Sequence, residues 1–236
     1  MDIGVLRERI DCDGFALINQ VLNPDTIEGL TKSFREAEIA RSEREGDTYG
    51  ARNLFSIPAV RQAALAPRLR AHLQPLLGEE FCAVRSIFFD KTENANWPVP
   101  WHQDLSVAVR ERRDLPGWTN WTVKRSVVHA QPPSEILQRM ITVRLHLDDC
   151  PADNGPLRVI AGTHSRNRLS RDAIQEVVKT QGESMVCAQA GDALFMKPLL
   201  LHASSPARTP KHRRVLHLEF APNDVLPPEL KWADAI

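Results

Sequence analysis

The sequence predicts a mainly β fold with flanking helices, a jelly roll in which N-terminal helices cover one sheet. Three observations predict it. Apolar residues recur at helical spacing through about residue 80. From Phe81 the pattern alternates at every second residue instead. The later segments are also short and set apart by Gly, Pro and Asn turns, as in two-layer β architectures.

The elements follow in order. Ile3, Leu6 and Ile10 lie at helical spacing until Asp13-Gly14 breaks the run, and Phe15–Ile18 is a short buried strand. Asn23-Pro24 starts a second helix, an N-cap followed by proline at the first helical position. That helix is expected to reach about Arg44, with Ile27, Leu30, Phe34, Ala37 and Ile39 near one face, and to end at Glu45-Gly46-Asp47. Two short helices around 59–65 and 68–77 are separated by Pro67, and Gly78 caps the second. Residues 81–89 are β-rich, and 94–100 form a polar, proline-bearing loop. Residues 110–135 carry charges, Trp118, Trp121, Pro132 and Pro133, and read as an irregular insertion or lid within 106–138. Further strands are expected at 141–147, 157–160, 184–189, 193–196 and 215–220, with a helix at 171–179. The whole is read as one domain over 1–236: a helical cover to about 80, then a core over 81–222.

Two strands alternate in an unusual way. In one, Thr142, Arg144, His146 and Asp148 share a face against Val143, Leu145 and Leu147. In the other, Arg213, Val215, His217 and Glu219 oppose Arg214, Leu216, Leu218 and Phe220. An ordinary sandwich would turn the polar face to water. With helices available as a cover, the favoured arrangement turns the apolar face outward beneath them and lets the polar face line a site.

Composition narrows the partners. Lys plus Arg and Asp plus Glu both total 30, so the net charge is zero and the basic excess of a nucleic-acid binder is missing. Cys12, Cys82, Cys150 and Cys187 are scattered without a CxxC, and read as buried thiols in a reducing compartment. Met1-Asp2-Ile3-Gly4 is acidic and amphipathic, so no signal peptide is expected, and no apolar run approaches ~18 residues. The expectation is a cytoplasmic protein, a monomer or weak homodimer, acting on a small molecule with no nucleic-acid or membrane partner.

Trp101-His102-Gln103-Asp104-Leu105 is the stretch that carries chemistry. On a strand, His102 and Asp104 would face the same way. They would supply two thirds of a 2-His-1-carboxylate triad, the arrangement that suits non-haem Fe(II) and leaves coordination positions open. The third ligand should be a distant histidine. His202, delivered by the apolar run after Gly191-Asp192, is chosen over two competitors. His164 follows Gly162-Thr163 and suits a turn, while His212 sits among Lys211, Arg213 and Arg214. Two open iron positions can be chelated by a 2-oxo acid, whose far carboxylate then needs a cation. Arg213 lies eleven residues past His202 on the polar face, and its planar fork suits a carboxylate. Ser204 can donate a hydroxyl to the same group. Arg213 could alternatively be a solvated charge, and His146 and His217 are either pocket groups or core histidines. Trp97, Trp118 and Trp121 either line an entrance or pack beneath the lid, and 110–113 is a solvated face.

The HxD pair, the distant histidine and the following arginine resemble the Fe(II)/2-oxoglutarate-dependent dioxygenases. The wording WHQDL, then DNGPLRVIAGTH at 153–164, then the segment from His202 to Arg213, resembles the phytanoyl-CoA dioxygenase family within them. The resemblance implies a double-stranded β-helix core (jelly roll, cupin-like). It implies iron on His102, Asp104 and His202, with 2-oxoglutarate held by Arg213 and Ser204 and with O2 as oxidant. Arg144 stands where some relatives place a tryptophan beside the cosubstrate, so it contacts either the cosubstrate or a substrate anion. Arg52 is the nearest match to a basic residue that some members carry ahead of the core. The implied reaction hydroxylates an unactivated C–H of a small metabolite and releases succinate and CO2. Related halogenases lack the carboxylate ligand, so Asp104 favours hydroxylation. A neutral chain does not favour CoA thioesters. The competing readings are a cupin-like metalloenzyme that does not use 2-oxoglutarate and a non-catalytic jelly-roll ligand-binding module.

Overall fold

The structure, a computed structural model, describes residues 1–36, 50–124 and 126–236. The first elements are α1 (Ile3–Cys12), β1 (Phe15–Ile18) and α2 (Pro24–Glu36). They start where the sequence provides caps. The Asp2 carboxylate accepts from the Gly4 N–H at 2.8 Å, and Asn23 Oδ1 accepts from the Thr26 N–H at 2.8 Å. The expected continuation of α2 to Arg44, with Ala37, Ile39 and the Glu45-Gly46-Asp47 stop, lies outside the described residues.

Next come β2 (Gly50–Arg52), α3 (Pro58–Ala64), α4 (Pro67–Leu77) and the long β3 (Phe81–Lys91). Pro67 opens α4 and does not merely separate two helices, because a first-turn residue has no helical partner for its N–H. The chain continues through β4 (Val99–His102), β5 (Val107–Val109), β6 (Thr119–Lys124), β7 (Val127–Gln131), α5 (Ser134–Gln138), β8 (Ile141–His146) and β9 (Leu157–Ile160). It closes with α6 (Arg171–Thr180), β10 (Ser184–Val186), β11 (Ala193–Met196), β12 (Leu201–Ser204) and β13 (Arg213–Pro222).

The strands form antiparallel sheets. A six-stranded sheet runs β1-β11-β8-β13-β3-β2, a four-stranded one β10-β9-β12-β4 and a three-stranded one β5-β7-β6. The expected mainly β class with helices is therefore what the chain adopts. Leu6, Ile10, Leu30, Phe34, Val60, Leu69 and Leu73 of the first four helices share one buried core with Val143, Leu145, Phe195, Leu216, Leu218 and Phe220 of the six-stranded sheet. The apolar face of β8 and β13 thus meets the helices. A second cluster joins Leu157 and Val159 to Leu194 and Met196 and ties the larger two sheets together.

Three expectations need correction. The stretch 110–135 contains regular strands: β7 pairs with β5 on one side and with β6 on the other, and Trp118 stacks on Trp121 at 5.9 Å over a core that includes Trp232. Its strands were illegible because most of β6 is exposed on both faces, which erases the period-2 signal. Residues 94–100 are not all loop, since β4 begins at Val99. The cysteines are free thiols, but only Cys150 is buried, while Cys12 and Cys187 are exposed. Among the described residues no helix is long and apolar enough to cross a membrane.

Candidate metal centre

The centre is assembled by strand pairing. β12 runs antiparallel to β4 with His202 directly opposite His102, so two imidazoles from distant parts of the chain face one side. Their ring centroids are 4.2 Å apart. Each ring is oriented by its own backbone: His102 Nδ1 lies 2.8 Å from the Pro100 carbonyl and His202 Nδ1 lies 2.8 Å from the Leu200 carbonyl. A carbonyl can only accept, so each Nδ1 carries the proton and each Nε2 keeps its lone pair for a metal.

Asp104 arrives differently from the expectation. β4 ends at His102, so the carboxylate belongs to the following loop and not to the strand. Two devices hold it. The Asp104 N–H donates to the Pro198 carbonyl at 2.9 Å. The Gln103 amide, buried and pointing away from the centre, donates to the carbonyls of Leu199 at 2.7 Å and Asn167 at 2.8 Å and accepts from the Leu169 N–H at 2.8 Å. The Asp104 oxygens then lie 3.9 Å from His102 Nε2 and 3.7 Å from His202 Nε2. All three ligand atoms fall within 4.8 Å of one another, a spacing one ion can close. Gln103 is a positioning residue that the sequence did not flag, since nothing local marks an amide as a loop anchor. Gln103→Ala is expected to weaken metal binding ~10- to 100-fold by freeing this loop, as measured by competitive chelator titration.

Electrostatics keep the site ready for a cation. Burial alone would raise the Asp104 carboxyl, but His202, His217 and His102 outweigh it and hold it at about 2. Burial pushes His202 down to about 4, so the imidazole is neutral in the physiological range. The Asp104 Oδ2 is buried without a hydrogen-bond partner among the described residues, which suits a ligand oxygen.

The centre opens into a cavity of about 260 Å³. Ile87, Phe89, Trp97, Val99 and Leu157 supply its apolar wall, and Arg52, Arg85, Lys91, Arg144 and Arg213 its cations. Arg85 is neutralised by Glu219 at 3.0 Å. Arg213 is buried, donates to the Gly155 carbonyl and lies 3.2 Å from Ser204 Oγ. Arg214 does not line the cavity and pairs with Asp148 instead. Gly155, in the NGPL turn, has φ +61°, and a Cβ there would come within 2.6 Å of the Ser205 carbonyl. Only glycine lets the two backbones approach so closely and present the Gly155 carbonyl to Arg213.

A model of the phytanoyl-CoA dioxygenase (PhyH) family matches residues 10–215. The chain belongs to this family. No curated protein sequence matches it. Among solved structures, AviO1 from Streptomyces viridochromogenes is 24% identical with a TM-score of 0.69, covering 96% of this chain and 97% of that one. The non-haem alpha-ketoglutarate-dependent carbocyclase SnoK from nogalamycin biosynthesis is 17% identical with a TM-score of 0.71, covering 92% of this chain and 82% of that one. HygX from Streptomyces hygroscopicus, solved with nickel and 2-oxoglutarate bound, is 18% identical with a TM-score of 0.65, covering 92% of this chain and 87% of that one. At these identities the likeness speaks for the fold.

In this PhyH chain the remaining predicted residues separate into two groups. Arg144 and Arg52 both line the cavity, as does Trp97. His217 does too, with Nδ1 3.4 Å from Arg144 and Nε2 3.4 Å from Glu219. His146 is buried, and neither ring nitrogen has a hydrogen-bond partner among the described residues. His164 is not part of the centre and lies 3.2 Å from the Asp11 carbonyl, while His212 is paired with Asp90 at 2.8 Å. Trp118 and Trp121 belong to the packing beneath the three-stranded sheet. Lys91 went unnoticed in the sequence: it ends an apolar strand beside Asp90, where a lysine looks like a solvated strand end.

Proposed function

We propose that the chain is a non-haem Fe(II)- and 2-oxoglutarate-dependent dioxygenase that hydroxylates an unactivated C–H of a small metabolite and releases succinate and CO2. The observation that carries this reading is one cavity holding both halves of such a site. Three ligand atoms lie within 4.8 Å of one another, and in the same cavity Arg144 and Arg213 of the six-stranded sheet are buried with no carboxylate at ion-pair distance among the described residues. The donor set, two imidazoles and one carboxylate, fits a ferrous ion and leaves positions open for a chelating acid.

When bound, the ferrous ion with 2-oxoglutarate and O2 supplies the oxidising chemistry. The chain's own contribution is positioning. His102 and His202 present Nε2 lone pairs because their Nδ1 protons are committed to backbone carbonyls. Asp104 would supply the negative ligand, at the position a halide would take if the carboxylate were missing. Arg213 and Ser204 hold the far carboxylate of the cosubstrate, with Arg144 and Arg52 as further cations on the cavity wall. Phe89, Trp97, Val99 and Leu157 exclude water beside the metal. In this reading the two larger sheets are the halves of a double-stranded β-helix within a single domain, and α1–α4 cover one of them. The cytoplasmic location and the monomeric or weakly dimeric state belong to the same proposal.

The test is Arg213→Met assayed for succinate release with Fe(II), ascorbate and a metabolite screen. The expected result is a rise of ~100-fold in the 2-oxoglutarate concentration needed for half-maximal rate, consistent with loss of a charged hydrogen-bond pair. A wild-type chain whose turnover ignored 2-oxoglutarate would overturn the reading in favour of a metalloenzyme without the oxo acid. Mass analysis of the product would distinguish hydroxylation from epimerisation or cyclisation.

A further inference from the structure

Among the described residues, Lys91 is a buried lysine with no acid at ion-pair distance. It sits on β3 directly opposite Arg213 of β13 and is 1% exposed. Its ammonium donates to Ser204 Oγ at 2.9 Å and to the Ser205 carbonyl at 2.9 Å, which accounts for two of its three N–H groups. Ser204 Oγ also lies 3.2 Å from the Arg213 guanidinium, so one hydroxyl stands between two cations. The Arg213 Nε is buried with no hydrogen-bond partner among the described residues. Neither cation has a carboxylate at ion-pair distance among the described residues. Two buried positive charges facing one cavity are costly unless an anion joins them.

We propose that Lys91 is the second anchor of the cosubstrate's far carboxylate, sharing it with Arg213 across Ser204. This rests on the reading of the site as a 2-oxoglutarate site. One carboxylate oxygen takes the unpaired Arg213 Nε–H, and the other takes the third ammonium proton. The surroundings of Lys91 support this. Burial, Arg213 on β13 and Arg144 on β8 together push its ammonium down to about 7, and only the Cys150 thiol works against them. The Trp97 ring lies 5.8 Å away, and the adjacent Asp90 is committed to His212 and to the Arg213 backbone N–H. Without an anion the ammonium is partly discharged at neutral pH. A bound carboxylate restores the charge, so the dicarboxylate takes up a proton as it binds.

The experiment is calorimetric titration of the full chain with anaerobic Fe(II), comparing 2-oxoglutarate with 2-oxopentanoate, which keeps the chelating head and replaces the far carboxylate by a methyl. Lys91→Met is expected to weaken 2-oxoglutarate ~10- to 100-fold and to leave 2-oxopentanoate within about twofold of wild type. Lys91→Arg should retain most of the affinity. It should also remove the wild-type fall in 2-oxoglutarate affinity between pH 7 and 9, a slope that a merely structural lysine would not create. Equal losses for both acids, or no loss for either, would overturn the role of Lys91 alone. Wild-type protein that bound neither acid would overturn the site reading and this inference together. Should Lys91→Met fail to fold, Lys91→Arg decides by itself: a pH slope equal to wild type overturns the proposal.

Discussion

His202→Ala is expected to lower ferrous affinity by more than ~100-fold and to abolish substrate-dependent succinate formation. The reason lies in how the centre is built. His102 and Asp104 come from one short segment, whereas His202 comes from the partner strand and is nearly fully buried. Removing its ring leaves one imidazole and one carboxylate on the same segment, a two-ligand set with no partner across the ladder. Changes in groups that merely support ligands typically cost 10- to 100-fold in metal affinity, and losing a ligand itself should exceed that. Metal content after dialysis, measured beside His164→Ala and His212→Ala, makes the comparison specific. Those two histidines face a backbone carbonyl and Asp90, so their variants should retain iron. Full metal content in the His202 variant would remove the centre from the argument.

Phe220→Ala is expected to cost about 3–5 kcal/mol of stability, read from urea denaturation. Phe220 is 1% exposed, lies on the apolar face of β13 and meets the Phe81 ring edge-on at 6.3 Å. It pairs in register with Ile141 of β8 and Ala83 of β3, so the vacated space is walled by strands on both sides and cannot collapse easily. The neighbouring residue on the same strand, Glu219, holds Arg85 in the cavity at 3.0 Å. Metal binding measured well below the unfolding transition should therefore remain close to wild type. A loss below ~1 kcal/mol would mean that the helices and the sheet are not held together through this core.

The parts of this chain that could be read from its sequence are those where period and chemistry coincide. The β8 stretch gave itself away because Thr142, Arg144 and His146 alternate with Val143 and Leu145, and alternation survives even though every residue of the strand is buried. His102 and His202 were legible because imidazoles beside a carboxylate motif are rare enough to attract attention. Lys91 was not, because its meaning arises only when β3 is laid against β13 and places it opposite Arg213. Gln103 was hidden for a related reason: its three hydrogen bonds go to backbone atoms of 167, 169 and 199, which no local pattern brings near. The β6 strand escaped because most of its side chains meet water, leaving no contrast between its faces. Sequence pattern therefore reports on partition between oil and water, while tertiary pairing alone decides which charge ends up beside which.

The reversed polarity of β8 and β13 also constrains folding. A shift of either strand by a single residue against its neighbours would drive Arg144 or His217 and Glu219 under the helical layer and push leucines into the cavity beside the candidate metal centre. Both faces would be penalised at once, one by stranded charge and the other by lost oil-like packing. One-residue insertions or deletions here should therefore be purged far more strongly than in β6, whose two wet faces make misalignment nearly costless. The same arrangement that gives the cavity its polar lining thus proofreads the alignment of the central strands.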